Sequence, residues 1–296
     1  MNKKITTCLW FNGQAADAAE FYTKVFKNSG IRGIMRNTKS SPVGAEGTAL
    51  TASFFIEDFE FLALNGGPNF KPNPSVSFFV HCANESEVNI LWEKLSEGGK
   101  VMMPLDKYPF SERYGWIEDQ FGISWQLMLP TRAADQKIVP CMLFVHEVFG
   151  KAKEALDFYV SVFRNASLDF ISTYGDGSPY PDAINYGECT LEGEKFVVME
   201  NDSKQHEFHF NEGISFIIHC DDQDEVDYYW NILSTNGGQE SQCGWLKDRY
   251  GVSWQVTPDI LPKLLSQKDQ QKADRAMRAM IQMKKIDIAA LENAVA

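Results

Sequence analysis

Apolar and polar positions along this chain follow two periods, and the two recur in a fixed order. Ile5–Phe11 is a short apolar run of strand length. Behind it, Ala18, Phe21, Tyr22, Val25 and Phe26 fall at i, i+3, i+4, i+7 and i+8, the stripe of an amphipathic helix. Strands are predicted next near Ile31–Arg36, Ala49–Glu57 and Glu60–Asn65, and Gly66-Gly67-Pro68 breaks the run. The order then begins again. Val76–Cys82 reads as a strand, and Val88, Leu91, Trp92 and Leu95 form a second helical stripe that Gly98-Gly99 ends. Strands follow at Lys100–Met103, Tyr114–Glu118 and Ile123–Leu129. A strand-helix-strand-strand-strand unit is thus used twice.

The whole of that pattern then returns. "EFYTKVF" at Glu20 reappears as "DFYVSVF" at Asp157, and "GWIEDQFGISWQLM" at Gly115 as "GWLKDRYGVSWQVT" at Gly244. The second copy is nine residues shorter, all in the loop before Gly244. Two homologous domains are therefore expected, 1–132 and 133–262, with Pro130–Gln136 as the linker. The texture changes after Pro262. Ala273, Met277, Met280, Ile281 and Lys284 give a modest stripe on a highly charged helical tail, 263–296, expected to pack across a domain or a partner subunit. Strands and helices segregated in this way predict an α+β fold, with helices covering one face of a largely antiparallel sheet.

Composition narrows the function. The 28 Lys and Arg against 40 Asp and Glu leave a net charge of −12, the wrong sign for tracking a phosphate backbone or an anionic membrane surface. No apolar run approaches the roughly 20 residues of a membrane span. The lysines and apolar stretch of "MNKKITTCLWF" have a mid-chain copy in "KIVPCMLF", so they predict a first strand and not a signal peptide. None of the six cysteines lies in a C-x-x-C, and Cys8/Cys141 and Cys82/Cys220 are repeat equivalents. Buried thiols in a reducing cytoplasm are expected.

A strand ending "LWFNG", the helix "AADAAEFYTKVF" and the closing motif D-x-F/Y-G-x-S-W-Q resemble the PhnB-like, or demethylubiquinone methyltransferase-like, branch of the vicinal-oxygen-chelate superfamily. "MIQMKKIDIAALE" also looks like the tail of that branch. The resemblance implies tandem glyoxalase-like domains, each of two βαβββ modules whose curled sheets surround a pocket. It leaves the reaction open, since the superfamily spans metal-dependent chemistry and sequestration. No strand here runs into a glycine-rich loop opening a helix, so the methyltransferase label finds no support in the sequence.

Metal-using relatives carry ligands on the first, fourth, fifth and eighth strands. Carried over by position, these sites are Thr6, Phe61, Ser75 and Gln126 in the first domain, and Val139, Phe196, Gly213 and Gln255 in the second. None is His, Asp or Glu. The Gln126 and Gln255 amides keep an acceptor oxygen and add a donor, which suits a small organic molecule better than a cation. No metal and no cofactor are expected. His206 and His209 sit three apart in an extended stretch and point to opposite faces. Cys8 lacks an activating base or cation nearby.

Expected ligand-binding residues are Trp10, His81, Tyr108, Arg113, Gln126, His219 and Gln255. Tyr108 and Arg113 belong to the loop that only the first half has, so the first half is expected to bind. Gln126 and Arg113 would orient the ligand, with His81 as the candidate general base. The leading expectation is a small-molecule-binding protein that pairs as a homodimer or as an intramolecular pseudo-dimer. A metal-dependent glyoxalase-like lyase, isomerase or dioxygenase, or a non-catalytic interaction scaffold, are the alternatives.

Overall fold

The structure is a computed structural model that describes residues 3–131, 134–202, 204 and 206–296. Arg132 and Ala133 of the expected linker lie outside the described residues. The first half contains β1 (Ile5–Phe11), α1 (Ala15–Val25), β2 (Ser29–Arg36), β3 (Ala49–Ile56) and β4 (Phe59–Asn65). It then repeats as β5 (Val76–His81), α2 (Glu85–Ser96), β6 (Lys100–Tyr108), β7 (Ser111–Glu118) and β8 (Ser124–Met128). The second half opens with β9 (Ile138–Phe144), α3 (Ala152–Val162), β10 (Ala166–Thr173), β11 (Ile184–Leu191) and β12 (Glu194–Glu200). It closes with β13 (Ile214–Cys220), α4 (Gln223–Ser234), β14 (Gln239–Glu240), β15 (Trp245–Lys247) and β16 (Ser253–Pro258). The tail forms α5 (Ile260–Leu265), α6 (Gln270–Met280) and α7 (Ile288–Val295).

The sixteen strands form two open eight-stranded sheets, and neither sheet belongs to one half. The first runs β14-β15-β16-β13-β1-β4-β3-β2, and the second runs β10-β11-β12-β9-β5-β8-β7-β6. At the centre of each, antiparallel strands from different halves meet: β1 on β13, with Ile5 opposite Ile218, and β5 on β9, with Val80 opposite Ile138. The first strand of each unit pairs in parallel with its last, as β1 does with β4. The halves thus interlock as a pseudo-dimer within one chain. Reciprocal ion pairs mark the same relation. Lys137 at the start of β9 reaches Glu87 on α2 at 2.6 Å, and Lys4 before β1 reaches Glu225 on α4 at 2.5 Å. Both glutamates also bind backbone N–H groups at the starts of their helices.

Alternation assigns the faces. Ile5, Leu9 and Phe11 of β1 and Phe59, Phe61 and Ala63 of β4 enter the main core against the helices, whereas Thr6, Cys8 and Trp10 face the opposite, concave side. Within each half the helices lie against both modules, and one carboxylate ties the layers together. Asp119 Oδ2 accepts from the hydroxyl of Tyr22 on α1 and from the Trp125 indole, each at 2.8 Å. Its Oδ1 accepts from the backbone N–H groups of Phe121 and Ile123. Asp248 repeats the arrangement with Tyr159, Trp254, Tyr250 and Val252. The closing motif and the helix tyrosine are therefore a structural lock. Trp125 and Trp254 are fully buried on the helix side, as the alternation predicts.

Burial is the largest influence on both aspartates and pushes each up to about 6, against the pull of their indole and hydroxyl donors. A carboxyl raised above its unfolded value of about 3.9 favours the folded state fully below about pH 4, and the contribution is lost as pH rises through about 6. Asp119→Asn is expected to lose about 1–3 kcal/mol, because an amide nitrogen cannot accept from the Trp125 indole. In urea melts the stability gap to the wild type should narrow from about pH 4 to about pH 6; a gap that widens there would contradict this account of the lock.

Candidate functional site

The concave face of the second sheet gathers rings and thioethers. Phe79, Tyr114, Val139, Cys141 and Val197 are buried at its floor, and half-buried Met103, Tyr108, Trp116, Met128, Tyr186 and Met199 pack around them. Four second-half strands, β10, β11, β12 and β9, lead in sheet order up to β5, and β8, β7 and β6 supply the other wall. A neutral polar row crosses the floor. The Tyr114 hydroxyl donates to Gln126 Oε1 at 2.6 Å, and Gln126 Nε2 donates to Ser77 Oγ at 2.8 Å. The Cys141 thiol lies beside Ser77 and Gln126, but burial pushes it up to about 12, so it is no nucleophile at neutral pH. Trp116 donates its indole N–H to Ser124 Oγ at 2.6 Å. One side carries charge: Lys195 Nζ meets Glu188 at 2.8 Å and Asp169 at 3.3 Å.

The longer hairpin of the first half is visible at this cleft's margin, where β6 and β7 are nine and eight residues long, against two and three for β14 and β15. Tyr108 and Phe110 stack at 5.7 Å, and both rings contact Tyr114. The hairpin thus places an aromatic wall beside the polar row.

The first sheet repeats the floor with exchanged halves. Gln255 Nε2 donates to Ser215 Oγ at 3.0 Å, beside the buried Cys8 thiol. Its margins are bridged by the tail. At the β2–β3 margin the Ser40 N–H donates to Asp274 at 2.7 Å, Arg278 donates to Ser40 Oγ at 2.8 Å, and Met35, Leu50 and Leu64 join the tail's apolar cluster. At the β14–β15 margin the N–H groups of Cys243 and Gly244 donate to the carbonyls of Met283 and Lys284.

The structure divides the expected site residues by cleft and not by half. Gln126 and Tyr108 lie in the second cleft, and Trp10, Gln255 and His219 in the first. His219 Nε2 meets Thr6 Oγ1 at 3.0 Å, while Asp259 lies 3.5 Å from Nδ1. His81 Nδ1 bonds the Gln136 carbonyl at 2.8 Å; its ring stacks on Phe79 at 6.4 Å, at the end of the second cleft's floor, and also borders a groove of about 890 Å³ beside the linker. Arg113 points to the other face, where its guanidinium bonds Asn89 Oδ1 on α2 at 2.8 and 3.0 Å. Alternation along β7 explains this: Tyr114 and Trp116 take the concave positions, leaving Arg113 to the helix. Tyr186, Glu188 and Lys195 complete the second cleft from the other half, and no sequence signal joined them to Gln126.

Two of the carried-over metal positions also need correction. Phe61 and Phe196 are buried in the helix-side core. Their concave neighbours are Glu60 with Leu62, and Lys195 with Val197, and Glu60 is paired with Arg32 at 2.9 Å. Among the described residues no group of three or more His, Cys, Asp and Glu is disposed to hold a metal ion. The donors beside each glutamine are hydroxyl and neutral thiol, which do not fit the charged or imidazole set a divalent cation needs. His146 contacts His209 ring to ring at 6.3 Å, and the His206 ring lies on Phe208.

Comparison with known proteins adds to this geometry. The family model described as 3-demethylubiquinone-9 3-methyltransferase matches residues 3–128 and again 136–257. The chain belongs to this family. A putative 3-demethylubiquinone-9 3-methyltransferase, PhnB protein, from Bacillus cereus is 41% identical over 43% of this chain and 98% of its own, with a TM-score of 0.40. A protein from Staphylococcus aureus is 31% identical over 44% of this chain and 99% of its own, with a TM-score of 0.18. Glyoxalase I from Zea mays covers 84% of this chain and 92% of its own at 11% identity and a TM-score of 0.53, which shows a shared fold. No curated protein matches significantly. This two-domain member of the 3-demethylubiquinone-9 3-methyltransferase family thus shares the glyoxalase I fold. Among its described residues no helix is long and apolar enough to cross a membrane.

Of the six free thiols in this family member, five are buried and Cys243 is half-buried. Titration of the native protein with DTNB at pH 8 should label Cys243 alone at first, the others reacting only on unfolding. Rapid labelling of Cys141 would show that the second cleft's floor is open and its thiol activated.

Proposed function

We propose that the chain is a small-molecule-binding protein whose ligand lies in the second cleft. The observation that carries this reading is the neutral Tyr114–Gln126–Ser77 row set among rings and thioethers. Pockets of this composition bind by apolar contact, and a few polar groups fix orientation. The amide at Gln126 has its oxygen and one N–H engaged, so a ligand oxygen or nitrogen meets the row through the Tyr114 hydroxyl or the second amide hydrogen. Methionines at three positions let the wall adapt to shape. The reading uses the fold of the family and not the methyl transfer in its description.

Thermal unfolding in the presence of planar aromatic acids, quinones and aromatic antibiotics tests the proposal. A ligand held at 100 times its dissociation constant adds about 2.7 kcal/mol. Trp116→Ala and Tyr186→Ala are expected to reduce the shift strongly, because each removes a ring from a different wall. Arg113→Ala should keep it, since that side chain rests on α2. A shift that survives both ring deletions but vanishes with Arg113→Ala would move the site to the other face of β7.

A further inference from the structure

The connectors that join the two modules within each half also meet each other. In the first half the chain from 66 to 75 leads from β4 to β5, and in the second the chain from 201 to 213 leads from β12 to β13. Asn73 Nδ2 donates to the His209 carbonyl at 3.0 Å, and Asn211 Nδ2 returns the bond to the Lys71 carbonyl at 3.1 Å. The two asparagines also accept, through Oδ1, from the backbone N–H groups of Ser75 and Gly213, at 2.8 and 2.7 Å. This reciprocal clasp is a further tie between the halves, away from the central ladders.

Only the second connector carries imidazoles. Counted back from the asparagines, His209 and His206 stand where the first connector has Lys71 and Pro68. A third histidine approaches from another segment. His146 is the second residue after β9, as Gly13 is the second after β1, and both have a left-handed backbone, with φ of 52° and 92°. Glycine adopts that conformation freely, whereas a histidine is held there at some cost. The His146 ring meets the His209 ring at 6.3 Å, and its charge bears on His206.

His206 is badly placed to carry a proton. Its ring lies on Phe208 at 4.8 Å, and its Nε2 is buried with no hydrogen-bond partner among the described residues. An imidazolium there would hold a buried N–H without an acceptor. Burial first, and His146 second, keep the ring below the ordinary histidine value of about 6.5. Among the described residues no carboxylate offsets this. Glu212 is committed to Lys247 at 3.1 Å, Glu154 to Lys151 at 3.6 Å, and Asp202 to the Tyr180 hydroxyl. Glu147, Lys204 and Glu207 are exposed to water, and Lys71 meets the clasp through its carbonyl. Just beyond, Phe210 is anchored in the core, edge-on to Phe144 at 5.2 Å.

We propose that residues 206–209 form an acid-released latch between the halves, closed on the first connector while His206 is neutral and let go when His206 takes up a proton. Release brings Nε2 to water and away from His146, with Phe210 as the pivot. The closed state is fully favoured above about pH 6.5 and loses ground as pH falls below that value, because the open form then binds more protons. The latch needs no ligand and stands independently of the reading of the second cleft.

Hydrogen exchange of the full chain, read by mass spectrometry and corrected for the intrinsic effect of pH, tests the latch. The opening equilibrium of residues 206–209, and of 69–73 across the clasp, should rise about three- to tenfold from about pH 7.5 to about pH 5.5. That of β5 and β13 should not rise. His206→Phe keeps a ring on Phe208 and removes the proton site, so its segment should stay closed at about pH 5.5. His146→Gly, which installs the first-half residue, should shrink the rise. Circular dichroism establishes that each variant is folded. Absence of the rise in the wild type, or an equal rise in folded His206→Phe, would overturn the proposal. So would an NMR titration of the wild-type His206 ring with its midpoint at or above about 6.5, a measurement that needs no variant.

Discussion

A buried carboxylate with four donors organises each half of this molecule. Asp119 and Asp248 each take an indole, a tyrosine hydroxyl and two backbone N–H groups, and so join the loop before the last strand, that strand itself and a helix from the other module. Burying an ionised carboxyl is unfavourable unless its lone pairs are satisfied. The four bonds meet that condition only when all three segments are in place. The interaction therefore specifies the relative position of two modules that share no strand pairing within the half.

Sheet pairing runs the other way, between halves. β1 pairs with β13 and β5 with β9, so that the helix-side cores hold each half together while the central ladders hold the halves to each other. The Lys137–Glu87 and Lys4–Glu225 pairs reinforce the ladders at equivalent points. Burial works against both glutamates, and their lysine partners with the backbone donors hold them below the usual carboxylate range. The consequence for function is that each cleft has one wall from each half. Cys141 of the second half lies opposite Ser77 of the first, and Cys8 of the first opposite Ser215 of the second.

Periodicity and the repeat were enough to place the units, because each helix and strand announces its own buried face. Tyr22 and Trp125 could be read as core from spacing alone. What spacing cannot carry is which unit pairs with which: the same strand pattern serves a sheet made within a half or across halves. That choice decided the site. Tyr186, Glu188 and Lys195 are some sixty residues or more from Gln126 in sequence and reach it only through β9. Arg113 shows a smaller failure of the same kind. Its loop was distinctive, but the register of β7 against β8, with Trp116 opposite Gln126, turns Arg113 towards Asn89. For the carried-over positions, a one-residue offset on β4 and β12 was enough to put Phe61 and Phe196 in the core.

Interlocking also explains how two equivalent clefts come to differ. A substitution on a central strand alters the ladder that both halves depend on, so the floors stay alike: glutamine, serine and cysteine in each. The margins carry no such constraint. β6 and β14 are edge strands, each answering to a single neighbour, and a change of hairpin length there leaves the ladders untouched. At the second cleft the long hairpin brings Tyr108 and Phe110 onto Tyr114. At the first, the short hairpin leaves room for Met283, Lys284 and Ile286, and the Trp245 ring stands edge-on to Trp10 while the Ser253 hydroxyl lacks the indole donor that its counterpart Ser124 takes from Trp116. Divergence at one edge loop is thus sufficient to turn a repeated architecture into two chemically distinct surfaces.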